Sequence, residues 1–339
     1  MEIEIRLPSN LDLLHAIEFC NGLWSQPIVE KFIFNFVNLK NIEPFSMAYV
    51  ATEIKRFRDS RHETSFEAMN HENHDYAAHM GFFRAFGLKH GNAPGEANGS
   101  TTYLPLTILN VEDLRQEAID TYEHVGQTIE NRSNSFAKML TRQEESNLVD
   151  TLTFSFREIM RNVVEHSDSK ILEYCAQYWP TKHKVEIVVL DSGIGVKNSL
   201  SKNPYLNINN DREALQLALM PSISGKMYKG VTKNKKNIWQ NSGFGLYMTN
   251  RICRNGGSFF ICSGESGLLL QKGSKKDIPT NFKGTAIRMV INTQSVTQLS
   301  KSLEKYRDVG YRMARTISDN GSLVEASVAS MMLSKDFDD

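Results

Sequence analysis

Four short segments with polar or glycine residues follow one another in a fixed order in the C-terminal two-thirds of this chain, each beside an apolar run. The first, FREIMRNVVEHS, spaces Glu158, Asn162 and His166 four residues apart. On a helix this spacing puts all three on one face, and the apolar residues between them point elsewhere and anchor the helix in the core. Glu158 is then able to orient or deprotonate a water, and the Asn162 carbonyl oxygen is a ligand type that Mg²⁺ accepts. A solvated helix face gives the same polar stripe.

The second segment, KVEIVVLDSGIGV, is a buried type of strand that runs into Asp191, Gly193 and Gly195. A carboxylate at a strand end can accept a hydrogen bond from an exocyclic amine such as that of adenine. The two glycines let the backbone turn sharply and approach a ligand closely. An ordinary strand-to-turn connection has the same composition, so this segment alone leaves both interpretations open.

The third segment, NSGFGLYMTNRICRNGG, places Gly243 and Gly245 before an amphipathic helix. A helix N-terminus presents unpaired backbone N–H groups, which suit phosphate oxygens. The segment is neither a P-loop, since it lacks the GK[ST] ending, nor a GxGxxG fingerprint. In the fourth segment, Lys283-Gly284-Thr285, a threonine opens the last strand, where its hydroxyl can meet the base.

In order and spacing, these segments resemble the N, G1, G2 and G3 boxes of the GHKL superfamily over roughly Tyr103–Thr293. Members of that superfamily include DNA gyrase, certain chaperones, mismatch-repair ATPases, sensor histidine kinases and anti-sigma-factor serine kinases. The resemblance implies an α/β sandwich of the Bergerat type that holds Mg-ATP between helices and a mixed sheet. It also implies a Glu158 base, an Asn162 magnesium ligand and an Asp191 that recognises adenine. The other nucleotide-binding positions implied are His166, Gly193, Gly195, Gly243, Phe244, Gly245, Leu246 and Thr285.

A lysine-rich stretch lies between the second and third boxes, in residues 196–242, where the family keeps its mobile ATP lid. Its lysines are Lys226, Lys229, Lys233, Lys235 and Lys236. The resemblance implies that some of them close over the triphosphate as point charges. A solvated loop would have the same composition, and the sequence does not say which lysines take part.

The N-terminal part resembles a STAS-like domain, the fold of anti-sigma-factor antagonists, through KFIFNFVNLKNIEPFSMAYVATEIKRF. In those proteins a serine at the start of a helix accepts a phosphoryl group. Here Phe45 stands at that position and Ser46 follows it, which leaves open whether Ser46 is ever phosphorylated. The helix itself is predicted over Pro44–Arg58, with proline in its first turn.

The turn-forming run GNAPGEANGS separates two parts of an α/β (α+β) protein. We predict a STAS-like domain in residues 1–92, a linker in 93–102, a GHKL domain in 103–294 and a helical extension in 295–339. Periodicity predicts single helices over Tyr76–Phe86 and Glu112–Leu140, and a loop-rich stretch up to residue 241. Two separate strands are expected at Ser258–Ser263 and Gly267–Gln271.

A histidine-rich run, NHENHDYAAHMGFF, invites a metal interpretation through His71, His74 and His79. His74 and His79 are five residues apart and do not share a helix face, so a helix start capped by Asn70 or Asn73 is favoured. The four cysteines are far apart, which argues against a zinc ribbon or a disulfide framework.

Zero formal net charge gives no global attraction to nucleic acid or to an anionic membrane. No stretch approaches the roughly 20 apolar residues of a membrane span, and the opening residues do not have the pattern of a secretory leader. We therefore predict a cytoplasmic Mg-ATP-binding protein, with ATP and Mg²⁺ as cofactors and a protein partner or a second copy as its target. An ATPase, a serine protein kinase of the anti-sigma type and a non-hydrolysing nucleotide sensor all remain open.

Overall fold

The computed structural model describes residues 1–226, 243–296 and 299–319. Within these ranges the chain is a mixed α/β protein with one parallel and one antiparallel main sheet, which confirms the predicted class. None of its described helices is both long and apolar enough to cross a bilayer.

The N-terminal unit is built around a parallel sheet in the order β1-β3-β5. Its elements are β1 (Glu2–Arg6), β2 (Asn10–Leu11), α1 (Leu13–Trp24), β3 (Lys31–Asn35), β4 (Asn41–Ile42), α2 (Pro44–Asp59), β5 (Ser65–Met69), α3 (Asp75–His79) and α4 (Phe82–Ala85). Alternate residues of β3 face α2, and the rings of Phe32 and Phe57 meet edge to face at 5.0 Å. Such aromatic pairs add to the burial of apolar area.

The larger unit is built on a five-stranded sheet in the order β6-β7-β8-β10-β9. Its elements are β6 (Tyr103–Asn110), α5 (Val111–Asp120), α6 (Val125–Thr141), α7 (Asn147–His166), β7 (Ile171–Trp179), β8 (Lys184–Asp191), α8 (Gly195–Leu200), α9 (Asp211–Ala218), α10 (Gly245–Arg254), β9 (Ser258–Gln271), β10 (Ser274–Asn292) and α11 (Leu299–Asp319). Every strand pairing described in this sheet is antiparallel. The mixed sheet implied by the resemblance is therefore not found in the described part of the chain.

Both faces of the five-stranded sheet are buried. Side chains of β8 alternate between the two faces with the strand period of two. Ile187 and Val189 belong to the core that the sheet shares with α7 and α10, while Val188 and Leu190 belong to the core of the N-terminal unit. Helix α2 covers this second face, so the N-terminal unit forms a third layer and shares one apolar core with the sheet.

A buried ionic network joins the two units at the start of α2. The carboxylate of Glu186, on β8, accepts the backbone N–H of Phe45 at 3.1 Å and contacts the Arg288 guanidinium at 2.8 Å. Glu43 contacts the same guanidinium at 3.0 Å, and Lys184 lies 3.1 Å from Glu186. Burial alone would raise the pKa of Glu186, but Arg288 and Lys184 outweigh it and the pKa is lowered. Glu186 is thus an ionised N-terminal cap for α2, supplied by the sheet.

Several predictions of local structure were wrong. The helix expected over Tyr76–Phe86 is split into α3 and α4, because Gly81 takes a left-handed conformation with φ of 90°. The helix expected over Glu112–Leu140 is divided into α5 and α6 by a turn in which Tyr122 has φ of 56°.

The stretch predicted as loop contains α8 and α9. The side chain of Asn210 accepts the Glu213 N–H at 2.9 Å, which is a capping pattern readable from the sequence.

Strand β9 is continuous over both predicted strands, and β10 begins well before Thr285, because β9 and β10 form a long hairpin. Helix α11 agrees with the predicted helical extension as far as residue 319.

We expect the buried pair of Glu186 and Arg288 to show strong coupling. Arg288→Met leaves the Glu186 charge buried without its main partner and is expected to cost about 3 kcal/mol of unfolding free energy. The double variant Glu186→Leu/Arg288→Met should cost less than the sum of the two single variants by at least about 1 kcal/mol. Urea unfolding of all four proteins measures this, and additive effects would contradict the network.

Candidate functional site

A cleft opens between α7, the ends of β8 and β10, and the start of α10. Its polar lining comprises Asn162, His166, Ser167, Asp191, Ser199, Ser224 and Thr285. Its apolar lining comprises Ile159, Val163, Val189, Val196, Leu200, Ala218, Ile223, Leu246, Ile261 and Ile287. A mostly apolar concave surface with a few polar groups is typical of a small-molecule site.

Asp191 is the buried carboxylate of this cleft, at the last position of β8 and only 3% exposed. It pairs across the sheet with Thr285, whose side chain and backbone both hydrogen-bond to it. Its Oδ1 also accepts the Gly193 N–H at 2.8 Å. Burial raises the pKa of Asp191 to about 6, against the opposing effect of these hydrogen bonds. The group is therefore an ionised acceptor at neutral pH and becomes protonated in mild acid.

The turn after Asp191 requires glycine because the backbone passes against the end of α7. A Cβ at Gly193 would lie 2.0 Å from the Ser167 carbonyl oxygen, and the next amide, of Ile194, donates to that oxygen at 2.8 Å. A side chain at this position would push the turn away from the helix. The close backbone approach predicted at Gly193 is thus made to the Ser167 carbonyl group of the protein itself.

Ser263, on β9, supports the same turn and was missed by sequence reasoning. Its hydroxyl donates to the Gly284 carbonyl oxygen at 2.7 Å and accepts the Val196 N–H at 3.0 Å. It therefore ties the start of α8 to the strand that carries Thr285. Nothing in its local sequence marks it, because the contact depends on how three distant segments meet.

Glu158 lies beneath the start of α10 rather than on the wall of the cleft. A Cβ at Gly245 would come 2.3 Å from its Oε2, so the carboxylate packs directly against the glycine that opens the helix. Its Oε1 accepts hydrogen bonds from Arg157 at 2.8 and 3.0 Å. Arg157 also contacts Glu130 at 2.7 Å. The Glu158 carboxylate therefore lies between the Arg157 guanidinium and the N-terminus of α10.

Asn162 and His166 both line the cleft, as their spacing predicted. Burial lowers the pKa of His166 to about 4, with smaller contributions from Lys226, Arg161 and Lys202. The imidazole is therefore neutral at physiological pH. The ammonium group of Lys226 donates to the backbone oxygen of Glu165.

The turn at Gly243–Gly245, where α10 begins, faces the cleft on one side and α11 on the other. Gly243, Gly245 and Leu246 line the cleft. The ring of Phe244 faces away and packs against Tyr247 and Tyr311, at 6.1 and 5.2 Å. Of the predicted lid lysines, only Lys226 belongs to the described residues; Lys229, Lys233, Lys235 and Lys236 lie outside them.

The histidine-rich run is a packing cluster. His74 Nε2 lies 3.1 Å from the Phe36 carbonyl oxygen, and His79 Nε2 lies 2.7 Å from the Tyr103 hydroxyl. No group of three metal-ligating side chains occurs in the part of the chain that the structure describes. Helix α3 begins after His74, so the expected Asn70 or Asn73 cap was wrong.

Ser46 is fully buried in the core between α2 and the sheet. Its hydroxyl has no hydrogen-bond partner among the described residues. In this conformation it is closed to a kinase.

Comparison with known proteins leaves the family open: the chain matches no protein-family model, and a search of curated proteins found no match.

We expect the unfolding free energy of the protein to fall as the pH rises, because Asp191 is buried and its charged form is unfavourable there. Because its folded pKa is about 6 and its ordinary value is 3.8, the native state binds more protons between these values, and its unfolding free energy falls with rising pH. Asp191→Asn removes this dependence. From about pH 4 to about pH 7.5 the stability of the variant relative to wild type should therefore rise by roughly 1–3 kcal/mol.

Urea unfolding of both proteins at the two pH values measures the difference. Subtracting wild type from variant at each pH cancels any constant effect of the lost hydrogen bonds. A difference that does not change with pH would contradict the buried carboxylate.

Proposed function

We propose that this protein binds Mg-ATP in the cleft and hydrolyses it, as a member of the GHKL superfamily. The observation that carries the proposal is the buried pair of Asp191 and Thr285 at the end of an apolar pocket. Such a carboxylate suits the exocyclic amine of adenine, and the Thr285 hydroxyl, which hydrogen-bonds to it, fixes its direction. The apolar residues beside it suit the flat faces of the base.

The other end of the cleft suits phosphate oxygens. The N-terminus of α10 opens there with Gly243 and Gly245, and the dipole and first-turn N–H groups of the helix favour an anion. Asn162 supplies a carbonyl oxygen of the kind that Mg²⁺ prefers. Bound Mg²⁺ would neutralise phosphate charge, and the residues of this chain would orient the nucleotide and exclude water.

Glu158 is the proposed base, and its surroundings also favour a second candidate. Its carboxylate is held by two hydrogen bonds from Arg157 and packs beneath Gly245 rather than on the cleft wall, which keeps it away from a water in the cleft. This supports a nucleotide sensor that binds without rapid turnover.

The N-terminal unit is the proposed recipient of the nucleotide's effect. Strand β8 carries Asp191 on the cleft side and Glu186 on the side of α2. A change in β8 on binding would therefore reach the cap of α2 directly. A protein partner or a second copy of the chain would then bind one state of the N-terminal unit more tightly than the other.

We expect Asp191→Asn to weaken Mg-ATP binding by at least about tenfold, because the amide presents a donor to the adenine amine. Glu173→Gln is the matched control. Glu173 is also a buried carboxyl whose pKa is raised to about 6, on the neighbouring strand, but it faces Thr52 of α2. Calorimetric titration of the three proteins decides the matter: equal affinities for wild type and Asp191→Asn would remove the adenine role.

Turnover is measured with γ-labelled ATP, counting free phosphate and protein-bound label separately. We expect Glu158→Ala to keep binding and lose release of phosphate by a factor of at least about 10². Glu130→Gln disturbs the same arginine but leaves the Glu158 carboxylate in place, and it should retain most activity. Binding without phosphate release in wild type would establish the sensor, and label on an added protein would establish the kinase.

A further inference from the structure

Helix α11 packs against the turn that opens α10. The Phe244 ring lies between Gly243 and Gly245 in the chain and is 7% exposed. Its centroid is 5.2 Å from that of Tyr311. Because Phe244 points away from the cleft while its two glycine neighbours line it, α11 contacts the turn from behind.

Gly310 makes the closest of these contacts. A Cβ at this position would lie 2.7 Å from a ring carbon of Phe244, 2.9 Å from one of Tyr247 and 3.3 Å from the side chain of Pro221. The residue after Pro221, Ser222, donates its N–H to the Gly243 carbonyl oxygen at 3.0 Å. Gly310 therefore sits against both chain segments that hold Gly243.

Further apolar contacts of α11 come from one face of the helix. Leu303, Tyr306 and Met313 pack against α10 and the neighbouring core, and the guanidinium of Arg251 lies 5.5 Å from the Tyr306 ring centre. Lys305, Arg307 and Asp308 are exposed. The helix is therefore amphipathic, with an apolar stripe on the face that packs against α10.

We propose that α11 is the positioning element for the phosphate end of the cleft. It fixes Phe244, and through it the direction of the backbone N–H groups at Gly243–Gly245. The inference rests on the proposed function for its ligand, but the ordering of the turn by α11 can be measured without nucleotide. The adenine end is built from Asp191 and Thr285, whose described hydrogen bonds come from the sheet and the turn after β8, so it is independent of α11.

The test is Gly310→Leu in the full chain, with Asp308→Leu as control. Leucine favours a helix more than glycine does, so any loss comes from the clash with Phe244 rather than from helix propensity. The control adds the same side chain to the exposed face of α11. Tyr311→Ala removes a contact without a clash and should have a smaller effect in the same direction.

We expect Gly310→Leu to weaken ATP binding by at least about tenfold and to leave adenosine binding within about twofold. Amide hydrogen exchange at 243–248 should accelerate in the absence of nucleotide. The control should match wild type in all three measurements. A variant that merely unfolds would lose both ligands.

Equal loss of ATP and adenosine, or unchanged exchange at the turn, would overturn the inference. If wild type binds neither ligand, the proposed function fails, and exchange alone then decides the role of α11. Faster exchange at the turn in Gly310→Leu supports it, and unchanged exchange refutes it.

Discussion

The ionised carboxylate of Glu186, buried at the start of α2, is the interaction on which the arrangement of the two units depends. A buried charge is tolerated only when it is paired and hydrogen-bonded. Arg288, Lys184 and the Phe45 N–H meet that need together. Since they come from two strands and a helix, the carboxylate fixes the angle and register at which α2 crosses the sheet. Apolar packing alone is less directional.

Alternate side chains of strand β8 point to opposite faces of the sheet and so lie in two different environments. The side chains that face α2 carry the ionic network and the shared core, and the side chains that face α7 lead to Asp191. The N-terminal unit keeps water from the back of this strand, while the cleft lies on its opposite face and reaches its end. The low polarity around Asp191 that raises its pKa thus depends partly on layers that contribute nothing to the cleft wall.

Two acidic side chains of the site have different surroundings and therefore different chemistry. Burial raises the pKa of Asp191, which takes up a proton near pH 6, whereas Glu158 lies between Arg157 and a helix N-terminus. The first suits recognition of a neutral amine, which needs an acceptor with a fixed direction. The second is held in place by Arg157 beneath the start of α10, away from the wall of the cleft.

The sequence by itself determined the mixed α/β class and the approximate positions of several helices and strands. It also singled out Asn162, His166, Asp191 and Thr285, which line one cleft. For Asn162 and His166 the reason is their helical spacing, which puts both side chains on one face of α7. It did not locate Ser263 or the hydrogen bonds that Arg157 donates to Glu158. Nothing in it indicated that Phe244 faces α11. It also did not show that α2 covers the sheet through Glu186. These depend on how segments far apart in the chain pack together, and local periodicity carries information only about neighbours one or two turns away.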